Sequence, residues 1–160
     1  MKSPSSPMRN RASWLITFLG LALASGAAAA DAPGKKPLEV YFIDTEGGGA
    51  TLIVAPTGES LLIDPGYPGE RDPARIALVA KEVAGLRRID AFLSTHFDLD
   101  HYAALPQLVE RIPVARFYDR GAPAGLPANA SANHWKAYLA ATGGKSVGLK
   151  PGDEIPLGPA

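Results

Sequence analysis

At 160 residues, 46% hydrophobic and 20% charged, the chain has ordinary globular composition and allows one domain. Sixteen basic residues balance sixteen acidic ones with no basic stripe, which argues against tight non-specific nucleic-acid binding. The absence of cysteine excludes disulfides and cysteine-ligated zinc.

The chain opens on a targeting pattern. Lys2, Arg9 and Arg11 form a basic start, Trp14 to Ala24 is apolar, and Ala28, Ala29 and Ala30 are small. This layout predicts a secretory signal peptide over residues 1–30, cut before Asp31, and a secreted or periplasmic location. The other reading is an uncleaved membrane anchor. Trp14 to Ala30 only reaches the ~17-residue lower limit for a span, and its second half is weakly apolar. Removing the three basic residues of this segment from sixteen leaves thirteen against sixteen acidic, a net charge of −3. Residues 31–37 read as an exposed Pro/Gly/Lys-rich leader and residues 38–160 as the domain.

Leu38 to Ile43 is rich in β-formers and predicts a strand, followed by Gly47-Gly48-Gly49. A phosphate-binding loop would need Lys-Ser/Thr and a helix next; Ala50 to Val54 is instead a second strand, so the glycines make a turn that also has room to line a site. Ser60 to Ile63 predicts a third strand ending at Asp64-Pro65-Gly66. Tight Gly/Pro turns between the three predict an antiparallel meander, and their apolar runs predict burial on both faces.

Asp72-Pro73 predicts a helix start, with Asp72 as N-cap and Ile76, Val79, Ala80 and Val83 as one apolar stripe stopped by Gly85. Ile89 to Leu93 predicts the fourth strand. Leu105, Leu108, Val109 and Ile112 predict a helix beginning near Tyr102 or Ala103, because Pro106 must sit in a first turn. Ala115 to Tyr118 predicts a short strand. Ala122 to Ala132 predicts a loop, and Asn133 a cap for a helix from His134 to Ala141 stopped by Gly143-Gly144. One or two strands are expected around the Pro151-Gly152-Asp153 turn. Strands alternating with helices indicate an α/β domain.

Between the fourth strand and its helix lies His96-Phe97-Asp98-Leu99-Asp100-His101. Residues two apart at a strand end point to one side, so His96 and Asp98 can reach one ion, and Asp100 and His101 a second. Imidazole and carboxylate suit zinc, and also iron or manganese. Zinc lowers the pKa of its bound water to about 7, and two ions clamp a substrate oxygen from both sides. Taken singly, Asp100 also reads as an N-cap, Asp98 as a loop carboxylate and the histidines as surface residues. Together at a strand-to-helix junction, the four read as a metal site.

Three stretches carry a family resemblance. Ser94 to His101 resembles the H-x-[HD]-x-D-H motif of the metallo-β-lactamase superfamily, in the Asp form found in the ComEC-type competence-protein metallohydrolase domain. Ile43 to Ala50 resembles that group's D-V-G-Q-G-D-A turn, and Leu61 to Gly66 its L-I-D-x-G strand end. The resemblance covers about residues 38 to 121. It implies a four-layer αββα sandwich, of which this chain supplies the N-terminal half, with an antiparallel-rich sheet and flanking helices. It further implies that His96 and Asp98 bind a first zinc, that Asp100 and His101 bind a second, that Asp100 orients the attacking water, and that Asp64 supports the ligand loops through hydrogen bonds. Gly49 departs from the pattern, which carries Asp there. The remaining ligands of the family come from the second half; beyond His101 the only histidine is His134, which reads as a helical surface residue. The chain therefore reads as a truncated product, a fragment, or a half-domain completed by another chain.

The implied function is a secreted metal-dependent hydrolase acting on an ester, lactone, amide or phosphodiester in a small-molecule or phosphodiester substrate. The alternatives are a non-catalytic binding or assembly protein on the same scaffold, self-associating through the uncovered sheet, and a structural secreted protein with a coincidental cluster. Membrane contact is expected only through an uncleaved signal segment.

Overall fold

The computed structural model of the chain describes residues 36–121, 125–128 and 130–157. The segment expected as a signal peptide, most of the expected leader, part of the Ala122 to Ala132 loop and the last three residues lie outside the described residues. Among those described, no helix is long and apolar enough to cross a membrane.

Six strands form one mixed sheet in chain order: β1 Glu39–Phe42, β2 Thr51–Val54, β3 Ser60–Ile63, β4 Ala91–Leu93, β5 Phe117–Asp119 and β6 Val147–Gly148. β1, β2 and β3 form the expected antiparallel meander. From β3 onward the pairs are parallel, because each connection carries at least one helix across the sheet. The chain is thus an α/β fold, with the meander supplying its antiparallel part.

Burial on both faces does not extend to β1, an edge strand on which Phe42 is 85% exposed. Cross-strand partners share a face. Leu52, Leu62 and Phe92 align on the helix-facing side and are fully buried with Ile76, Ala80, Leu105, Leu108, Ile112 and Tyr138.

Helix α1 spans Arg71–Leu78 and runs directly into a π-helical turn, Val79–Val83. The predicted cap is corrected: Glu70 holds the N-cap position and Asp72 lies inside the first turn, 1% exposed. Its carboxylate accepts the backbone N–H of Glu46 (3.0 Å) and of Tyr67 (2.8 Å), and a bond from Arg71 (2.7 Å). Asp72 therefore ties the Gly-rich turn and the loop after β3 to α1. The stripe is corrected at its end. Ile76 and Ala80 are buried, but the wider π turn rotates Val83 outward to 59% exposure.

The helix predicted from near Tyr102 or Ala103 is α3, Leu105–Val109, and a separate short helix, α2 Leu99–Tyr102, precedes it. A proline ring collides with the carbonyl four residues earlier, which for Pro106 is Tyr102, so α2 stops there and Pro106 falls in the first turn of α3. Helix α4 spans Ala132–Ala141, capped at Ser131 rather than at Asn133. The tail supplies β6 and a turn at Lys150 to Asp153, with no further strand among the described residues.

Candidate functional site

The parallel strands bring the chemistry together. The backbone N–H of Asp64 bonds the carbonyl of Leu93, and that of Ser94 bonds Tyr118, so the ladders run on past the C-terminal ends of β3 and β4. Asp64 and the Ser94-Thr95-His96 segment leave the sheet side by side.

Asp64 is buried and adopts φ 57°, the left-handed region that costs a non-glycine residue about 1–2 kcal/mol. Three hydrogen bonds hold it there. Oδ1 accepts from the backbone N–H of Thr95 (2.7 Å), while Oδ2 accepts from Thr95 Oγ1 (2.7 Å) and pairs with His101 Nδ1 (2.8 Å). Asp64 thereby ties the end of β3 to Thr95 and His101.

Asp98 is the N-cap position of α2, without a side-chain cap bond, which places Asp100 and His101 within the helix. His96 and His101 stack with ring centroids 3.9 Å apart. His96 Nε2 lies 3.4 Å from Asp98 Oδ2, and His101 Nε2 lies 3.6 Å from Asp100 Oδ2. Ligands at 2.0–2.2 Å from a tetrahedral zinc are roughly 3.3–3.5 Å from each other. Each His–Asp pair therefore has close to the spacing of one edge of such a site, and the nitrogen–carboxylate donor set suits zinc, iron or manganese. Among the described residues, no three His, Asp or Glu side chains converge as a ready cage for one ion. The four residues are brought together as two pairs.

Several supporting residues carry no motif signal. Ser94 is fully buried and its hydroxyl lies 2.8 Å from the carbonyl of His96 and 3.0 Å from that of His101, so it closes the six-residue segment into a loop. Phe97 anchors that loop from below, edge-on to Trp135 at 4.9 Å, Tyr102 at 6.0 Å and Tyr138 at 6.1 Å. Tyr138 in turn donates to buried Asp119 Oδ2 at 3.0 Å, and burial pushes its hydroxyl pKa well above the usual range. The aromatic content of α4 was the available clue, but which rings meet Phe97 is tertiary information.

The Gly-rich turn lines the site, as its glycines allowed. A Cβ on Gly48 (φ 63°) would sit 2.3 Å from the carbonyl oxygen of Asp100, and one on Gly47 would sit 3.4 Å from Asp100 Oδ2. A recess of about 290 Å³ opens beside the pairs, lined by His96, Asp98, Arg120 and Pro127 among others. His134 lies in α4, half-buried rather than on the open surface, and its buried Nδ1 has no hydrogen-bond partner among the described residues.

The family model described as metallo-beta-lactamase superfamily matches residues 44–156. Among solved structures, the chain resembles a metallo-beta-lactamase from Cronobacter sakazakii, a HARLDQ-motif mutant, at 25% identity and a TM-score of 0.37. That likeness covers 49% of this chain and 30% of the other, so the chain spans under a third of the length of that relative. No curated protein matches significantly.

Proposed function

The chain belongs to the metallo-beta-lactamase superfamily, and from that premise we propose that it carries the N-terminal ligand set of a secreted, metal-dependent hydrolase of the ComEC-like type. Membership suggests hydrolysis with a divalent metal. The finer reading is that His96 and Asp98 hold one zinc, that Asp100 and His101 hold the other, and that iron or manganese are the substitutes. The single observation that carries it is the pairing of each Nε2 with a carboxylate oxygen at close to tetrahedral-edge spacing.

Bound metal supplies Lewis acidity and a source of hydroxide near neutral pH. The remaining tasks belong to the chain. Asp100 orients the attacking water and takes its proton at a carboxylate oxygen. Asp64 and Thr95 keep the imidazoles in place, and the close approach of Gly47 and Gly48 holds Asp100 in position. Water adds across an ester, lactone, amide or phosphodiester bond, and the leaving group departs with the proton. Arg120 in the neighbouring recess favours a substrate with an anionic group, which supports the phosphodiester among these four.

Metal analysis of the purified chain tests the reading, with His96→Ala as control. The expected result is at least one tightly held transition-metal equivalent, reduced in the variant. Less than about a tenth of an equivalent in the unsubstituted chain sinks the metalloenzyme reading.

A second reading, a non-catalytic assembly protein, is favoured by the sheet face opposite the core. The strand register aligns Val40, Ile53, Leu61 and Ala91 in one row there, and Phe42, Thr51, Ile63, Leu93 and Tyr118 in the next. Such a face suits contact with a second copy of the chain.

A further inference from the structure

The hydrogen bonds around Asp64 contain a proton-counting constraint. A carboxylate offers lone pairs only, a threonine hydroxyl has one proton, and a neutral imidazole carries its proton on one of two nitrogens. Thr95 Oγ1 lies 2.7 Å from Asp64 Oδ2 and 3.0 Å from His96 Nδ1. Its one proton goes to the carboxylate, so toward His96 the hydroxyl acts as acceptor. His96 Nδ1 must then be the protonated nitrogen. On the other side, Asp64 Oδ2 lies 2.8 Å from His101 Nδ1, which must likewise carry a proton to make that bond. Both rings are left with a lone pair on Nε2, and both Nε2 atoms are the ones that face Asp98 and Asp100.

We infer that Thr95 is a positioning residue: its hydroxyl relays the acceptor character of Asp64 to His96, so that one buried carboxylate sets the tautomer of both histidines before any metal arrives. The inference deepens the proposed metal site and rests on it only for its consequence. A histidine already holding its proton on Nδ1 presents the ligating lone pair without a tautomer change. His101 takes its instruction directly from Asp64, whereas His96 takes it through one hydroxyl.

Thr95 is solvent-exposed and its backbone N–H bonds Asp64 Oδ1 regardless of side chain, so Thr95→Val removes the hydroxyl while sparing the fold. The test is ¹⁵N NMR of the imidazole nitrogens in the metal-free chain at a pH where both rings are neutral. The expected wild-type result is protonated Nδ1 and unprotonated Nε2 on both histidines. In Thr95→Val, His96 should shift toward the Nε2–H form while His101 keeps its signature, which also reports an intact Asp64. Thr95→Ser should restore the wild-type pattern. A wild-type His96 protonated on Nε2, or a His96 signature unmoved in Thr95→Val, overturns the relay. Titration with Co²⁺ adds the consequence: roughly a tenfold or greater loss of affinity in Thr95→Val, the scale usual for a lost partner of a ligating histidine. An unchanged Co²⁺ affinity overturns that consequence. A wild type that shows the tautomers but binds no Co²⁺ overturns the metal-site reading and leaves the relay standing.

Discussion

Gly48 and Gly49 are neighbours in the sequence and opposites in the structure. Gly48 has φ 63°, and a Cβ there would lie 2.3 Å from a backbone oxygen of Asp100, an atom that cannot swing aside. Gly49 has no heavy atom within 4 Å of its notional Cβ. Gly48→Ala should therefore destabilise the chain by about 2 kcal/mol or more, from left-handed strain plus overpacking, whereas Gly49→Ala should stay within about 1 kcal/mol. Urea unfolding of the two variants checks this, and equal losses would show that the turn does not press on Asp100. The same geometry bears on the residue that the resembled turn carries at Gly49. Space exists there for a Cβ, so packing around that atom does not require glycine.

At the scale of elements, β3 and β4 are bolted at their starts as well as at the ends that form the site. Asp90 Oδ2 accepts from the backbone N–H of Ser60 at 3.0 Å and from its hydroxyl at 3.1 Å, and Oδ1 takes the Arg88 guanidinium at 2.8 Å. Burial pushes this carboxyl pKa up, but the bonds from Arg88 and Ser60 outweigh it, and the net direction is downward from 3.8. A depressed folded-state value means that the ionised form stabilises the fold. That contribution is fully present above the unfolded-state value near 4 and is lost as pH falls through the lower folded-state value. Asp90→Asn should lower stability at neutral pH and flatten its decline in the acid window below pH 4. Thermal unfolding across pH 2.5–7 measures it, and an unaltered acid slope would remove Asp90 from the account.

The strands themselves were legible in the sequence, because short apolar runs between Gly/Pro turns leave little else to form. So was the clustering of His96 to His101, since a strand end and a helix start fix that geometry locally. What stayed hidden was set by distant partners. Asp72 has the look of an N-cap and instead holds two loops. Pro106 marks the start of its helix, but nothing in the Leu105 stripe announces the separate short helix Leu99–Tyr102 ahead of it. Val83 keeps α-periodicity in sequence but leaves the stripe in a π turn, and Thr95 meets Asp64 only when β3 and β4 pair in parallel.

For the whole molecule, the contrast is between the two faces of one sheet. The helix-facing side is filled by α1, α3 and α4, with Leu52, Leu62 and Phe92 fully buried beneath them. On the other side Leu61 and Ala91 are also buried, Ile53, Ile63 and Leu93 are half-buried, and Val40 and Phe42 on β1 are open. Exposed apolar side chains grouped on one strand suit an interaction site, and among the described residues β1 is also a sheet edge. Self-association through this face is the consequence we predict for the isolated chain. Phe42→Glu places a charge at the most exposed apolar position of the row and, lying outside the core, should change stability by less than about 1 kcal/mol. Sedimentation velocity should show wild-type mass rising with concentration and the variant remaining closer to monomer. Because Phe42 lies on the sheet face and the ligand pairs lie at the strand ends, metal stoichiometry should be the same in both. A wild type that stays monomeric at every concentration would show that this apolar face does not draw copies together, and it would remove the main support for the assembly reading while leaving the hydrolase reading intact.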